Sequence, residues 1–182
     1  MALVITEALV RKLLATVDAG LTAGLGVPKP GKMCVEAAIA YTLGESHSDG
    51  PTCVHPVVRA GKIALNDCAW SSDAARASGM RRVAIAQLGS TDIDYVRYVH
   101  LLAQYTQDEI VPLAAEYAAK YAEYAAESAA KCAAESAAES DRDAVLRLSA
   151  DLMVRALKEC GSPGCEWLWL CDEEAPCDTT TR

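Results

Sequence analysis

Residues 113–140 read LAAEYAAKYAEYAAESAAKCAAESAAES, with thirteen alanines between Ala114 and Ala138. Alanine is the best helix former, so this stretch predicts a long helix and tilts the whole chain toward a mainly α fold. Glu116, Lys120, Glu123, Glu127, Lys131, Glu135 and Glu139 follow one another at steps of three or four. Glu116 with Lys120, and Glu127 with Lys131, stand in the favourable i, i+4 order, each worth about 0.2–0.5 kcal/mol. Tyr117, Tyr121, Tyr124, Ser128, Cys132, Ser136 and Ser140 trace a second stripe, read as a helix edge packed on the body or on a partner.

The rest of the chain supplies shorter helices. Ile5, Leu9, Leu13, Val17 and Leu21 line one face of a first amphipathic helix over residues 3–23. Gly24, Gly26, Pro28, Pro30 and Gly31 then form a loop that no helix crosses. Met33–Leu43 is apolar nearly all round and reads as a central core helix, stopped at Gly44. Residues 45–55 are a loop, and Pro56 opens a third helix that ends at Asn66-Asp67. Ser71 or Ser72 caps a fourth helix running to Leu88. Thr91, with Asp94 three residues on, predicts the start of a fifth, and Ser140 with Asp143 predicts a renewed helix start after the Ala-rich stretch. Trp167-Leu-Trp-Leu170 is too apolar for water and is drawn as a short extended segment docked on the body.

Composition narrows the function classes. The chain has 182 residues, 17 Lys+Arg against 25 Asp+Glu, and a net charge of −8. That length suits one domain with a small appendage. The acidic balance argues against general nucleic-acid binding, which relies on Lys and Arg. No run approaches the ~18 apolar residues of a membrane span, and no secretory signal precedes Glu7, so a cytoplasmic location is expected. In that compartment the eight cysteines are expected to be mostly reduced.

The densest chemistry lies at Cys34, Glu36, Glu45, His47, Asp49, Cys53, His55, Asp67 and Cys68. Three readings compete for it. Cys34 follows Pro30-Gly31 at a predicted helix start, where thiols are acidified, so it is a candidate nucleophile with His47 or His55 as base, and Asp49 is a further catalytic candidate. Cys34, His47 and Cys53, helped by Asp49, His55 or Cys68, are candidate zinc ligands, although their spacing matches no standard knuckle. The third reading is structural: thiols packed in an Ala-rich core, His47 and Asp49 bracing the 44–56 loop, and Asn66 and Asp67 bonding its backbone. A loop braced in this way also serves as a recognition surface, with His47, Asp49, Cys53, Asn66 and Asp67 as binding candidates. Cys160, Cys165, Cys171 and Cys177 form a weaker candidate metal or redox group near the tail.

Gly26-Val-Pro-Lys-Pro-Gly-Lys-Met-Cys-Val-Glu-Ala-Ala38, Gly44-Glu-Ser-His-Ser-Asp49, Pro51-Thr-Cys-Val54, Leu65-Asn-Asp67, Trp70-Ser-Ser72, Ala84–Ser90 and Pro163-Gly-Cys-Glu-Trp-Leu168 resemble a family of uncharacterised bacterial and phage proteins. The resemblance covers most of the chain. It implies that residues 26–90 are the defining module and the Ala-rich stretch the variable part, and it carries no activity with it.

The expected fold is therefore mainly α: a single-domain helical bundle with one long Ala-rich helix or helical hairpin and a short C-terminal tail. Residues 1–111 form the helical module with the Cys/His/Asp loop, 112–161 the Ala-rich part and 162–182 the Trp-containing docking tail. The expected role is non-enzymatic binding or assembly, through the 44–56 loop, the Ala-rich helix surface or both, with a protein partner or a second copy of the chain and no cofactor. The alternatives are a Cys34-dependent hydrolase or transferase and a zinc-stabilised interaction module.

Overall fold

Thr6 Oγ1 accepts from the Leu9 N–H at 3.2 Å and opens α1 (Glu7–Asp18) later than the apolar stripe predicts. The helix also stops short of Leu21, which is nonetheless fully buried beyond it. The computed structural model describes residues 3–113, 115–116 and 131–172, and the side chains of all but 131–140 among them. The Tyr/Ser stripe and most of the Glu/Lys ladder expected over 117–140, and the tail beyond Asp172 with Cys177, lie outside these described parts.

Residues 19–34 make the expected punctuated loop, closed by an isolated antiparallel bridge between Gly26 and Met33. Gly26 is required there: its φ is 69°, and a Cβ would strike the Lys32 carbonyl oxygen. Cys34 then caps α2 (Val35–Leu43), and Gly44, at φ 75°, ends it. His55 caps α3 (Pro56–Asn66) by accepting the Val57 N–H on Nδ1 at 3.2 Å, and Pro56 occupies the first helical position.

Ser72 caps α4 (Asp73–Ala86), which lies at the centre of the molecule. It packs against α1, α2, the last long helix and the C-terminal segment, and its Met80, Val83 and Ile85 have no exposed surface. Thr91 does not cap the next helix. Residues Ser90–Asp92 form a single 3-10 turn, and Asp94 instead accepts the Arg97 N–H at 3.0 Å and starts α5 (Tyr95–Tyr105). A π-helical turn, Thr106–Ile110, follows and is tied to the last helix by Glu109 to Arg155 at 2.5 Å.

That last helix, α6 (Lys131–Glu159), runs through residue 140 without a break, so no new start occurs at Ser140. Asp143, the expected cap partner, is buried and accepts from Ser71 at both N–H (3.0 Å) and Oγ (2.5 Å), joining α6 to the start of α4. The tail is a 3-10 helix, Pro163–Cys171, and not an extended segment. Its Gly164 N–H donates to the Leu88 carbonyl at 2.9 Å, and Ser162 Oγ donates to the Ala86 carbonyl at 2.5 Å. These bonds fasten the tail to the end of α4 and bury Leu168 and Leu170, while Trp169 stays half-exposed. Among the described residues the fold is mainly α with no strand, and no helix is long and apolar enough to cross a membrane.

Candidate functional site

The most constrained chemistry in the molecule sits between α2 and α3. Val58, Lys62 and Leu65 recur at helical spacing and form the buried face of α3, so Lys62 points into the core with its aliphatic neighbours. Glu36 stands in the first turn of α2, itself buried on nearly every side. The two meet: Lys62 Nζ lies 2.5 Å from Glu36 Oε1, and neither side chain has exposed surface. Burial opposes both charges, raising the Glu36 carboxyl and lowering the Lys62 ammonium, while each partner pulls the other back. The α2 N-terminus adds a favourable field for the carboxylate. Glu36 Oε2 has no hydrogen-bond partner. Sequence inspection noted Glu36 but missed Lys62; its place on an otherwise apolar helical face was the available signal.

Cys34 is beside this pair and is used as a helix cap. Its Sγ accepts the Ala37 N–H at 3.4 Å as the α2 cap, and only 4% of the residue is exposed. Burial pushes its thiol above the ordinary range, against the lowering expected of a nucleophile at a helix start. His47 is not hydrogen-bonded to it: His47 Nε2 lies 3.2 Å from the Gly26 carbonyl oxygen, on the 19–34 loop.

Asn66 and Asp67 brace that same loop, not the 44–56 loop they were expected to hold. Asn66 Oδ1 accepts the Val35 N–H at 3.2 Å, and Asn66 Nδ2 donates to the Thr22 carbonyl at 3.0 Å. Asp67 Oδ1 accepts the Gly24 N–H at 2.8 Å. Arg76, buried in α4, completes the clamp by donating to the Asn66 carbonyl at 2.9 Å and the Leu21 carbonyl at 3.2 Å. The structure therefore brings Cys34, Glu36, Asp49, Asn66 and Asp67 together around a cavity of about 30 Å³. That is room for a few waters and far below the roughly 300–1,000 Å³ usual for an organic ligand.

Cys53 stands apart, buried, with its thiol raised by burial and bonded by the Gly89 backbone. His55 serves as a helix cap and stacks on Tyr95 with ring centroids 5.0 Å apart. Among the described residues no three His, Cys, Asp or Glu side chains are arranged to hold a metal ion. The six described cysteines, Cys34, Cys53, Cys68, Cys160, Cys165 and Cys171, are all free thiols.

A second and much larger concavity opens on the surface, with a volume of about 760 Å³. Glu45, Thr52 and Cys53 of the 44–56 loop form one wall, Gly89 and Thr91–Ile93 another, and Cys160, Gly161 and Pro163 a third. The 44–56 wall is internally fixed, because Glu45 accepts from the Thr52 N–H at 3.2 Å and from Thr52 Oγ1 at 2.5 Å. It is anchored to the second wall by the His55 N–H, which donates to Ser90 Oγ at 3.2 Å. Sequence reasoning singled out the loop but not the groove, whose other walls come from residues 40 and 110 positions further along.

Compared with protein families, characterised proteins and solved structures, the chain matches none.

Proposed function

We propose that this is a non-enzymatic binding module that engages a protein partner through the groove beside the 44–56 loop. The observation that carries it is the contrast in access: a groove of about 760 Å³, walled by a braced loop, against an interior cluster around a cavity of about 30 Å³. Small-molecule pockets run to roughly 300–1,000 Å³, so a groove of this size has room for several side chains of a partner. The reactive side chains that suggested catalysis cap helices, pair in the core or fasten loops, which supports a role in rigidity. Free thiols fit the reduced cytoplasmic setting included in this proposal.

The test is a photo-crosslinking amino acid at exposed Thr52, with exposed Ser78 on α4 as the control position. A discrete crosslinked polypeptide, or a crosslinked second copy, is expected from Thr52 and not from Ser78. Equal yields from both positions, or none from Thr52, would overturn the proposal.

A further inference from the structure

The tip of the 19–34 loop is apolar and yet stands in water. Residues 23–30 and Lys32 are all exposed, and Leu25 and Val27 keep 41% and 55% of their surface accessible. The tip is nevertheless stiff. The Val27 N–H donates to the Lys32 carbonyl at 2.7 Å and the Cys34 N–H to the Leu25 carbonyl at 3.3 Å, while Pro28 and Pro30 fix φ between them. Asn66, Asp67 and Arg76 clamp its base from below. Apolar groups held this way lose little further freedom on binding. The tip is also basic. No Asp or Glu lies between Asp18 and Glu36, and among the described residues neither Lys29 nor Lys32 makes an ion pair or a side-chain hydrogen bond.

A surface of matching character exists on the same molecule. The groove is concave where the tip is convex, Leu3, Leu43, Ile93 and Pro163 give it apolar lining, and its charged lining is Glu45 and Asp92 with no Lys or Arg. Tip and groove lie at opposite ends of α1 and α2. Leu3 before α1 and Leu43 at the end of α2 line the groove, whereas Asp18 ends α1 and Cys34 opens α2 at the loop. The 12 residues of α1 span about 18 Å of that separation. Resting on the binding-module proposal above, we infer that the partner is a second copy of this chain, whose 23–32 tip enters the groove. Leu25, Val27 and Pro28 rest on the apolar lining, and Lys29 and Lys32 face Glu45 and Asp92. Each copy uses one surface to meet a different surface of the next, so the contact is head to tail and leaves a free tip and a free groove for further copies.

Sedimentation velocity of the full chain over a concentration series tests this, at about 0.15 M salt so that repulsion between copies of net charge −8 is screened. The weight-average mass should rise with concentration. Lys29→Glu with Lys32→Glu should weaken association roughly tenfold or more, because like charges then meet in the contact. Both positions are exposed, so the fold should be unaffected. Asp92→Lys should weaken association from the groove side. Mixing these two variants should restore it, since one keeps an intact groove and the other an intact tip. Arg142→Glu, a charge reversal at an exposed position of α6, should change nothing. A chain that stays monomeric at every concentration, association indifferent to both variants, or no recovery on mixing would each overturn the inference. A monomeric chain that still crosslinks another polypeptide from Thr52 would overturn it and leave the binding module standing; a monomeric chain with no crosslink from Thr52 would remove both.

Discussion

Two regions of the molecule gather cysteines and carboxylates, and they use them in opposite ways. Around Cys34, Glu36 and Lys62 the groups are buried, and Cys34 caps α2, Glu36 pairs with Lys62 and Asn66 fastens Val35, so their chemistry goes into holding α2, α3 and the 19–34 loop together. Around Glu45, Cys53, Asp92 and Cys160 the same residue types line an open groove of about 760 Å³. In this chain access falls beside the densest cluster, not inside it.

The comparison breaks most readily at the ion pair. Lys62→Met leaves the Glu36 carboxyl without its partner in the core and should cost about 3–5 kcal/mol by urea unfolding. Adding Glu36→Leu should recover most of that loss, because an apolar pair of similar volume is often neutral or stabilising. The double variant should still crosslink from Thr52 as the parent does. Loss of that crosslink in a stably folded double variant would show that the interior cluster is not merely structural.

Next in size come the fastenings. Asn66→Ala leaves the buried Val35 N–H without its acceptor, so a loss of about 1–3 kcal/mol is expected in the same unfolding assay. Gly164→Ala places a Cβ against the Ile85 carbonyl oxygen and should cost about 1–3 kcal/mol as overpacking. Because Gly164 follows Pro163 in the groove wall, this variant should also weaken the crosslink from Thr52, whereas Asn66→Ala should spare it.

How far the sequence exposed all this varied with the range of the interactions involved. Local signals were legible: Gly44 stops α2, Pro56 opens α3, and Ser72 caps α4, each through bonds within a few residues. Competing local signals were harder. Thr91 and Asp94 both resemble caps, and the 3-10 turn at Ser90–Asp92 decides for Asp94. Ser140 and Asp143 looked like a helix start until Ser71, 72 residues away, claimed Asp143. The apolar Trp167–Leu170 run was legible as a docked segment but was drawn extended, whereas its fastening to the end of α4 through Ser162 and Gly164 goes with a 3-10 helix. The Glu36–Lys62 pair and the groove depend on contacts between segments distant in sequence, and no spacing rule reaches them.

A smaller effect follows from the thiols. Burial pushes Cys165 up to about 11 from an ordinary 9.0, so the native state holds this proton more tightly than the unfolded chain. Its contribution to stability is therefore fully present below pH 9 and lost as pH rises through about 11. Unfolding midpoints at pH 8 and pH 11 should differ less in Cys165→Ala than in the parent, a comparison that cancels the opposite trend of Lys62.

The most direct test of the contrast between interior and groove is the rate at which iodoacetamide alkylates Cys34 at pH 7, read by peptide mass spectrometry against the same chain unfolded in urea. A thiol that caps a helix and sits 4% exposed should react roughly tenfold or more slowly in the folded protein. Rapid alkylation of Cys34 ahead of every other cysteine in the folded chain would instead make it an activated nucleophile, and the interior cluster a working site.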